Sequence, residues 1–267
     1  MDILEKKQPI QYKDDVKRII KLLTYKTKLE LKGSASLVSQ RFPSDYDFMS
    51  MMKRPTEHEF VTFLRDVLNK IKESPDYWFT ELKFQSRDKK TKVFPHQLLK
   101  EGEVGSWDRL ELIKLDMVAR IENHFTEVSV IYSFTNELPT PEEYKKSLEK
   151  DITELVSEGN YYKALKRMFN IYKADGYKKG LLRLTKIFNG EMGELYQKIS
   201  NLEAIQLVLK YYQTQDVIKK SVINLKDIQL PETTDTEAWV KTNKAELNKQ
   251  AKQLYLNEKH HLKEGNE

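Results

Sequence analysis

The sequence predicts an α+β protein, a mixed sheet with helices over its first half followed by an all-helical region. Two observations carry this. Between residues 28 and 135, five short β-type runs recur around one helical stretch. After the Leu-Pro-Thr-Pro break at 138–141 those runs stop, and apolar residues return at the spacing of a helix.

Taken in order, residues 14–26 place Val16, Ile19, Ile20 and Leu23 on one face of a short amphipathic helix. The β-type runs cover 29–31, 46–51, 77–84, 110–121 and 126–134, with a helix over 57–71 between the second and third. Beyond the break, Tyr144, Leu148, Ile152 and Leu155 recur with helical period until Gly159 ends the run. Further helices are expected over 161–172, 178–188 and 191–212, with Gly176, Gly180 and Gly190 as turns or caps. Residues 230–235 read as a linker, leading to a Lys- and Gln-rich helix over about 237–259. The expected organisation is a catalytic domain with its N-terminal helix (1–137), a helical domain (138–213), and a linker with a C-terminal helix (214–267).

The 267 residues are enough to bury a real core, and 39% hydrophobic against 33% charged residues is a globular composition with a densely charged surface. The chain has no cysteine, which excludes a disulfide framework and a Cys-ligated zinc site. The N-terminal residues lack the apolar stretch of a signal peptide, and no apolar run approaches the roughly 20 residues that span a bilayer. A cytoplasmic protein without a membrane partner is therefore expected. Net charge is +5, from 46 basic and 41 acidic residues, which permits an anionic substrate without demanding one.

Chemistry concentrates in three places. Gly33-Ser34 follows a short β-type run and opens a helix reaching to about Gln40, where backbone N–H groups and a hydroxyl can approach a phosphate. Small residues that merely start a helix are the alternative reading. Ten residues later, Asp45 and Asp47 alternate with Tyr46 and Phe48, so a strand puts both carboxylates on one face. Such a pair suits Mg²⁺ or Mn²⁺, hard cations that take oxygen ligands; an exposed edge strand with two solvated acids is the plainer account. Asp116 sits among apolar residues, where a carboxylate needs a metal, a cation or an edge, and Lys114 on the same face could be that cation.

Together these residues resemble the DNA polymerase beta-like nucleotidyltransferase superfamily: Gly-Ser, a gap of about ten residues, an acid-x-acid strand and a third acid on a later strand. The resemblance spans about residues 28–135. It implies metal-dependent transfer of a nucleoside monophosphate from an NTP, with ATP the expected donor and pyrophosphate released. In that scheme Asp45, Asp47 and Asp116 hold metal and carry the catalysis, while Gly33 and Ser34 hold the triphosphate. Helices after the catalytic domain fit the poly(A) polymerases and CCA-adding enzymes of this superfamily. The stretch 159–169 also looks like one in nucleotidyltransferases of large DNA viruses, which extends the expected setting to host cytoplasm or virion.

In that stretch Tyr161, Leu165, Met168 and Phe169 can face a core, leaving Lys163, Lys166 and Arg167 to meet phosphate or simply to be solvated. Lys89, Lys90 and Lys92 lie in a basic hairpin loop that could touch a nucleic-acid backbone. Residues 94–107, with Gly102 and Gly105, form an insertion that is either a flap or a surface excursion. The C-terminal helix docks on the body or on a protein partner. The five histidines show no zinc-binding spacing, and there is no Walker A loop, Rossmann fingerprint or Ser-His-Asp order. The leading expectation is addition of nucleotides to an RNA 3′ end. Against it stand nucleotidylation of a protein or small molecule, and a nucleotidyltransferase fold kept as a non-catalytic structural component.

Overall fold

The computed structural model describes residues 13–33, 45–86, 90–92, 107–122, 124–135, 140–214 and 236–264. Among them six strands and seven α-helices form two compact units.

The first unit holds helices α1 (Asp14–Leu23) and α2 (Glu57–Glu73) and strands β1 (Glu30–Lys32), β2 (Asp45–Met51), β3 (Tyr77–Ser86), β4 (Lys90–Lys92), β5 (Leu110–Ile121) and β6 (His124–Ser133). The sheet order is β1-β2-β6-β5-β3-β4, with β2 and β6 parallel and every other pair antiparallel. Alternation sorts each strand onto two faces. Phe48, Leu82, Ile113, Leu115, Val130 and Tyr132 point into a core shared with Ile19 and Leu23 of α1 and Phe60 and Leu64 of α2. Tyr132 is buried, and its hydroxyl donates to the Leu23 carbonyl at 2.6 Å, fastening β6 to the end of α1. Burial pushes that phenol well above its ordinary range, so it stays a donor.

Expectation and structure differ at three places here. α1 stops at Leu23 because Thr24 turns extended, with its amide and its hydroxyl both on the Ile20 carbonyl. β2 begins at Asp45 itself, so both acids belong to the strand. Lys90 and Lys92 stand in a short edge strand paired with Lys83 and Gln85 of β3, not in a loop. At three residues, Lys-Thr-Lys is too short a run to announce itself as a strand in the sequence. The helix expected after Gly33 and most of the 94–107 insertion lie outside the described residues.

The second unit contains α3 (Pro141–Ser157), α4 (Tyr161–Asp175), α5 (Lys178–Asn189), the start of α6 (Glu191–Thr214) and α7 (Thr236–Glu264); α6 from Glu203 on is grouped with the first unit. Thr140 opens α3 with a capping box, its hydroxyl accepting from the Glu143 amide while Glu143 accepts from the Thr140 amide. α4 buries Tyr162, Leu165, Met168, Phe169 and Tyr172, and ends on Gly176 in the left-handed conformation. Tyr162 takes the core place expected for Tyr161, because the buried face is set by the neighbouring helices α3, α5 and α7. Glu258 of α7 is buried and is held by the Tyr172 hydroxyl at 3.0 Å and by the Arg183 guanidinium of α5.

Candidate active site

The outward face of β2 carries Asp45, Asp47 and Met49, all half-buried, while Tyr46 and Phe48 form the apolar layer beneath. The two rings of that layer stack at 6.3 Å. Burial, with a contribution from the Glu122 carboxylate, pushes the Tyr46 phenol up to about 12, so it contributes no charge to the site.

Register decides what stands beside the two acids. Asp47 is opposite Lys32 on β1 and Ser129 on β6, and Ser129 is in turn opposite Asp116 on β5. Asp45 is opposite Glu127 on β6, one strand spacing of about 4.8 Å away. Asp47, Ser129, Asp116, Asp45 and Glu127 therefore share one face of the sheet. Asp116 lies two strands from Asp47, roughly 10 Å by the same spacing. Its carboxylate accepts from the Ser129 hydroxyl and pairs with Lys114 at 2.9 Å, with its side chain 18% exposed. Among the described residues, no three His, Cys, Asp or Glu side chains converge on a single point. The chain thus places Asp45, Asp47, Asp116 and Glu127 on one face of three adjoining strands, with Asp116 beside Ser129 and Lys114.

Gly33 ends β1 and has φ +63°, in the left-handed region. A β-carbon there would stand 2.4 Å from Asp47 Oδ2 and 3.3 Å from its Cγ. Glycine suits the position twice over: its φ is one that other residues rarely adopt, and any β-carbon would push the Asp47 carboxylate aside. Ser34 lies outside the described residues.

The carboxylates of Asp45 and Asp47, on one strand face above an apolar layer, are oxygen donors of the kind that Mg²⁺ or Mn²⁺ takes.

With this geometry in hand, comparison with solved structures places the architecture. The Mg662 protein of M. chilensis, solved as a complex with GTP, matches at a TM-score of 0.63 and 11% identity over 88% of each chain. A protein described as a new nucleotidyl transferase from a Megaviridae ORFan gene matches at 0.64 and 11%, over 91% of this chain and 88% of its own. The chain has a nucleotidyltransferase-like fold. No protein-family model matches it, and no curated protein matches it significantly.

In this fold the remaining sequence candidates take definite places. Lys163 is exposed on α4. Lys166 lays its ammonium 4.5 Å from the centre of the Tyr196 ring and 5.8 Å from that of Tyr162. Arg167 is 3.2 Å from Asp151 on α3. All three belong to the second unit, Lys90 and Lys92 to the edge strand of the first, and Lys89 lies outside the described residues.

Glu127 is an acid of this face that the sequence does not announce. Its only signal is alternation along β6, which puts it on the polar face, and that signal does not say which strand lies alongside. The parallel pairing of β2 with β6 supplies the answer.

Proposed function

We propose that this chain is a nucleotidyltransferase that moves a nucleoside monophosphate from an NTP to an acceptor hydroxyl, most readily an RNA 3′ end. The observation that carries the proposal is the packing of Gly33 against Asp47, with Asp45 on the same face, inside this fold. Fold alone does not give function; the site must.

In this reading Asp45 and Asp47 hold the divalent cation, with Glu127 the nearest further carboxylate. Asp116 orients Ser129 beside Asp47 and balances Lys114. A divalent cation there would neutralise charge on the phosphates. Gly33, by lacking a side chain, leaves the strand end open to the triphosphate, and Ser34 supplies a hydroxyl. The acceptor oxygen forms a bond to the α-phosphorus as the bond from that phosphorus to the bridging oxygen breaks. The electron pair departs with pyrophosphate, and the hydroxyl proton passes to solvent beside the outer-face carboxylates. GTP in the complex of the M. chilensis protein supports a nucleoside triphosphate as donor; ATP is the donor that the family resemblance implies.

The test offers each labelled NTP, with Mg²⁺ or Mn²⁺, to the purified protein and mixed RNA, with Asp47→Asn in parallel. Label entering RNA only with the unaltered protein supports the reading. Label on protein redirects it to nucleotidylation of a polypeptide. Absence of labelling, with no NTP-metal stabilisation against heat, replaces it with a structural role.

A further inference from the structure

A second concentration of charge lies wholly within the helical unit. A groove of about 530 Å³ runs between the α3–α4 turn and α7. Lys241, Lys244, Lys249 and Lys252 line it, together with Asn160 and Tyr161 at the start of α4. Along α7 these lysines lie three, five and three residues apart, within an arc of about 140° around the helix, while Val240, Leu247, Ala251 and Tyr255 are buried. From Lys241 to Lys252 the stripe measures about 16 Å. Glu158 is the one acid on the lining, and Glu246 reaches Lys249 only at 3.9 Å, so positive charge predominates.

The other wall adds to that field. The first turn of α4 carries no acid, and Asn160 makes no side-chain cap. The Tyr162 amide in that turn donates to Asn248 Oδ1 at 3.1 Å, which pins α4 to α7 and fixes the width of the groove. Lys252 rests 5.6 Å from the centre of the Tyr161 ring. These contacts join the two walls of the groove at α4 and α7.

We infer that this groove binds the phosphodiester backbone of a single-stranded nucleic acid. Every cation on its lining is a lysine, a point charge suited to phosphate; planar, bidentate recognition of carboxylates would favour arginine. A stripe about 16 Å long addresses several consecutive phosphates. Backbone contacts of this kind position a strand without reading its sequence. The inference deepens the proposed transferase reading by assigning the acceptor's binding surface, and its test is independent of catalysis.

The experiment uses the full chain carrying Asp47→Asn, without NTP, and a fluorescent 20-nucleotide oligouridylate titrated across a range of salt. Replacing Lys241, Lys249 and Lys252 together by Gln should weaken binding at least about 10-fold and flatten the slope of log K against log salt by about 2, at roughly 0.7 for each phosphate no longer neutralised. Replacing Lys17, Lys21 and Lys186, exposed lysines elsewhere, removes the same charge and should change affinity less than about 2-fold. In the unaltered protein, bound oligonucleotide should protect Lys241, Lys249 and Lys252 from amine acylation, a measurement that does not depend on a variant folding. The inference is overturned if the two triple variants bind alike and no protection is seen. It is equally overturned if tripolyphosphate or polyglutamate protects these lysines and the oligonucleotide does not. Binding by the Asp47→Asn protein when the unaltered enzyme transfers nothing would leave this surface standing and sink the transferase reading.

Discussion

Gly33 and Asp47 are packed so closely that a β-carbon on the glycine would stand 2.4 Å from the aspartate's Oδ2. A substitution must therefore displace a carboxylate of the proposed site. Gly33→Ala is expected to reduce nucleotide transfer at least about 100-fold, a loss larger than its effect on folding. The left-handed conformation alone should cost about 1–2 kcal/mol. Paired measurements of transfer and of urea unfolding check this; equal activity in the variant would show that Asp47 does not need its present position.

Asp116 and Glu127 lie on neighbouring strands yet should respond differently. Glu127 is one strand from Asp45, and Asp116, two strands from Asp47, accepts from Ser129 and pairs with Lys114. Glu127→Gln is expected to lower kcat by about 100-fold and to raise the Mg²⁺ concentration needed for half activity. Asp116→Asn should retain about a tenth of the activity with an unchanged Mg²⁺ requirement. Metal titrations of both variants distinguish the two acids, and the reverse order would make Asp116 the third metal ligand.

Much of this site is legible along the chain. The Gly33 position and the alternation of Asp45 and Asp47 are read from spacing, and Asp116 stands out as a lone acid among apolar residues. Glu127 is not legible in that way, because strand partners are chosen by packing between distant segments. The same holds for the α7 lysines: their stripe is periodic, but a facing wall at Asn160 exists only once α4 and α7 meet.

Stability toward acid should depend on Asp15. Its carboxylate accepts the Glu122 amide at 2.9 Å, in a turn where Glu122 has φ +54°, and also pairs with Arg18. The Glu122 amide chiefly, and Arg18 after it, hold this carboxyl below its ordinary value of 3.8. The native state thus binds the proton less readily than the unfolded chain. Its contribution is complete above about pH 5 and is lost as pH falls through the ordinary value and then through the lower native one. Asp15→Asn should cost about 1–2 kcal/mol at pH 7, and the deficit should shrink as pH falls below the ordinary carboxyl value. Urea unfolding at pH 3, 5 and 7 would show it.

The helical unit is secured by a buried carboxylate. Glu258 is 2% exposed, and its ionic partner is Arg183 of α5. Burial first, then the nearby Glu258 carboxylate, raises the Tyr172 phenol far above its usual range, so Tyr172 remains a donor to that carboxylate. Arg183→Met strands the charge and should destabilise by about 3–5 kcal/mol. Arg183→Met combined with Glu258→Gln should recover part of that loss. Calorimetry of the single and double variants decides it, and a single variant as stable as the parent would mean that water reaches Glu258.

Period and local propensity are properties of neighbours along the chain, and they are enough to give the class of the fold, most strand and helix segments within a few residues, and the acids that alternate on β2. They say nothing of which segments meet. That β2 pairs in parallel with β6, that Glu127 stands beside Asp45, that Ser129 meets Asp116, and that four lysines of α7 face the start of α4 are products of the folded chain. Most of those relationships join residues tens of positions apart, and burial of two apolar faces, not any local pattern, selects which segments come together.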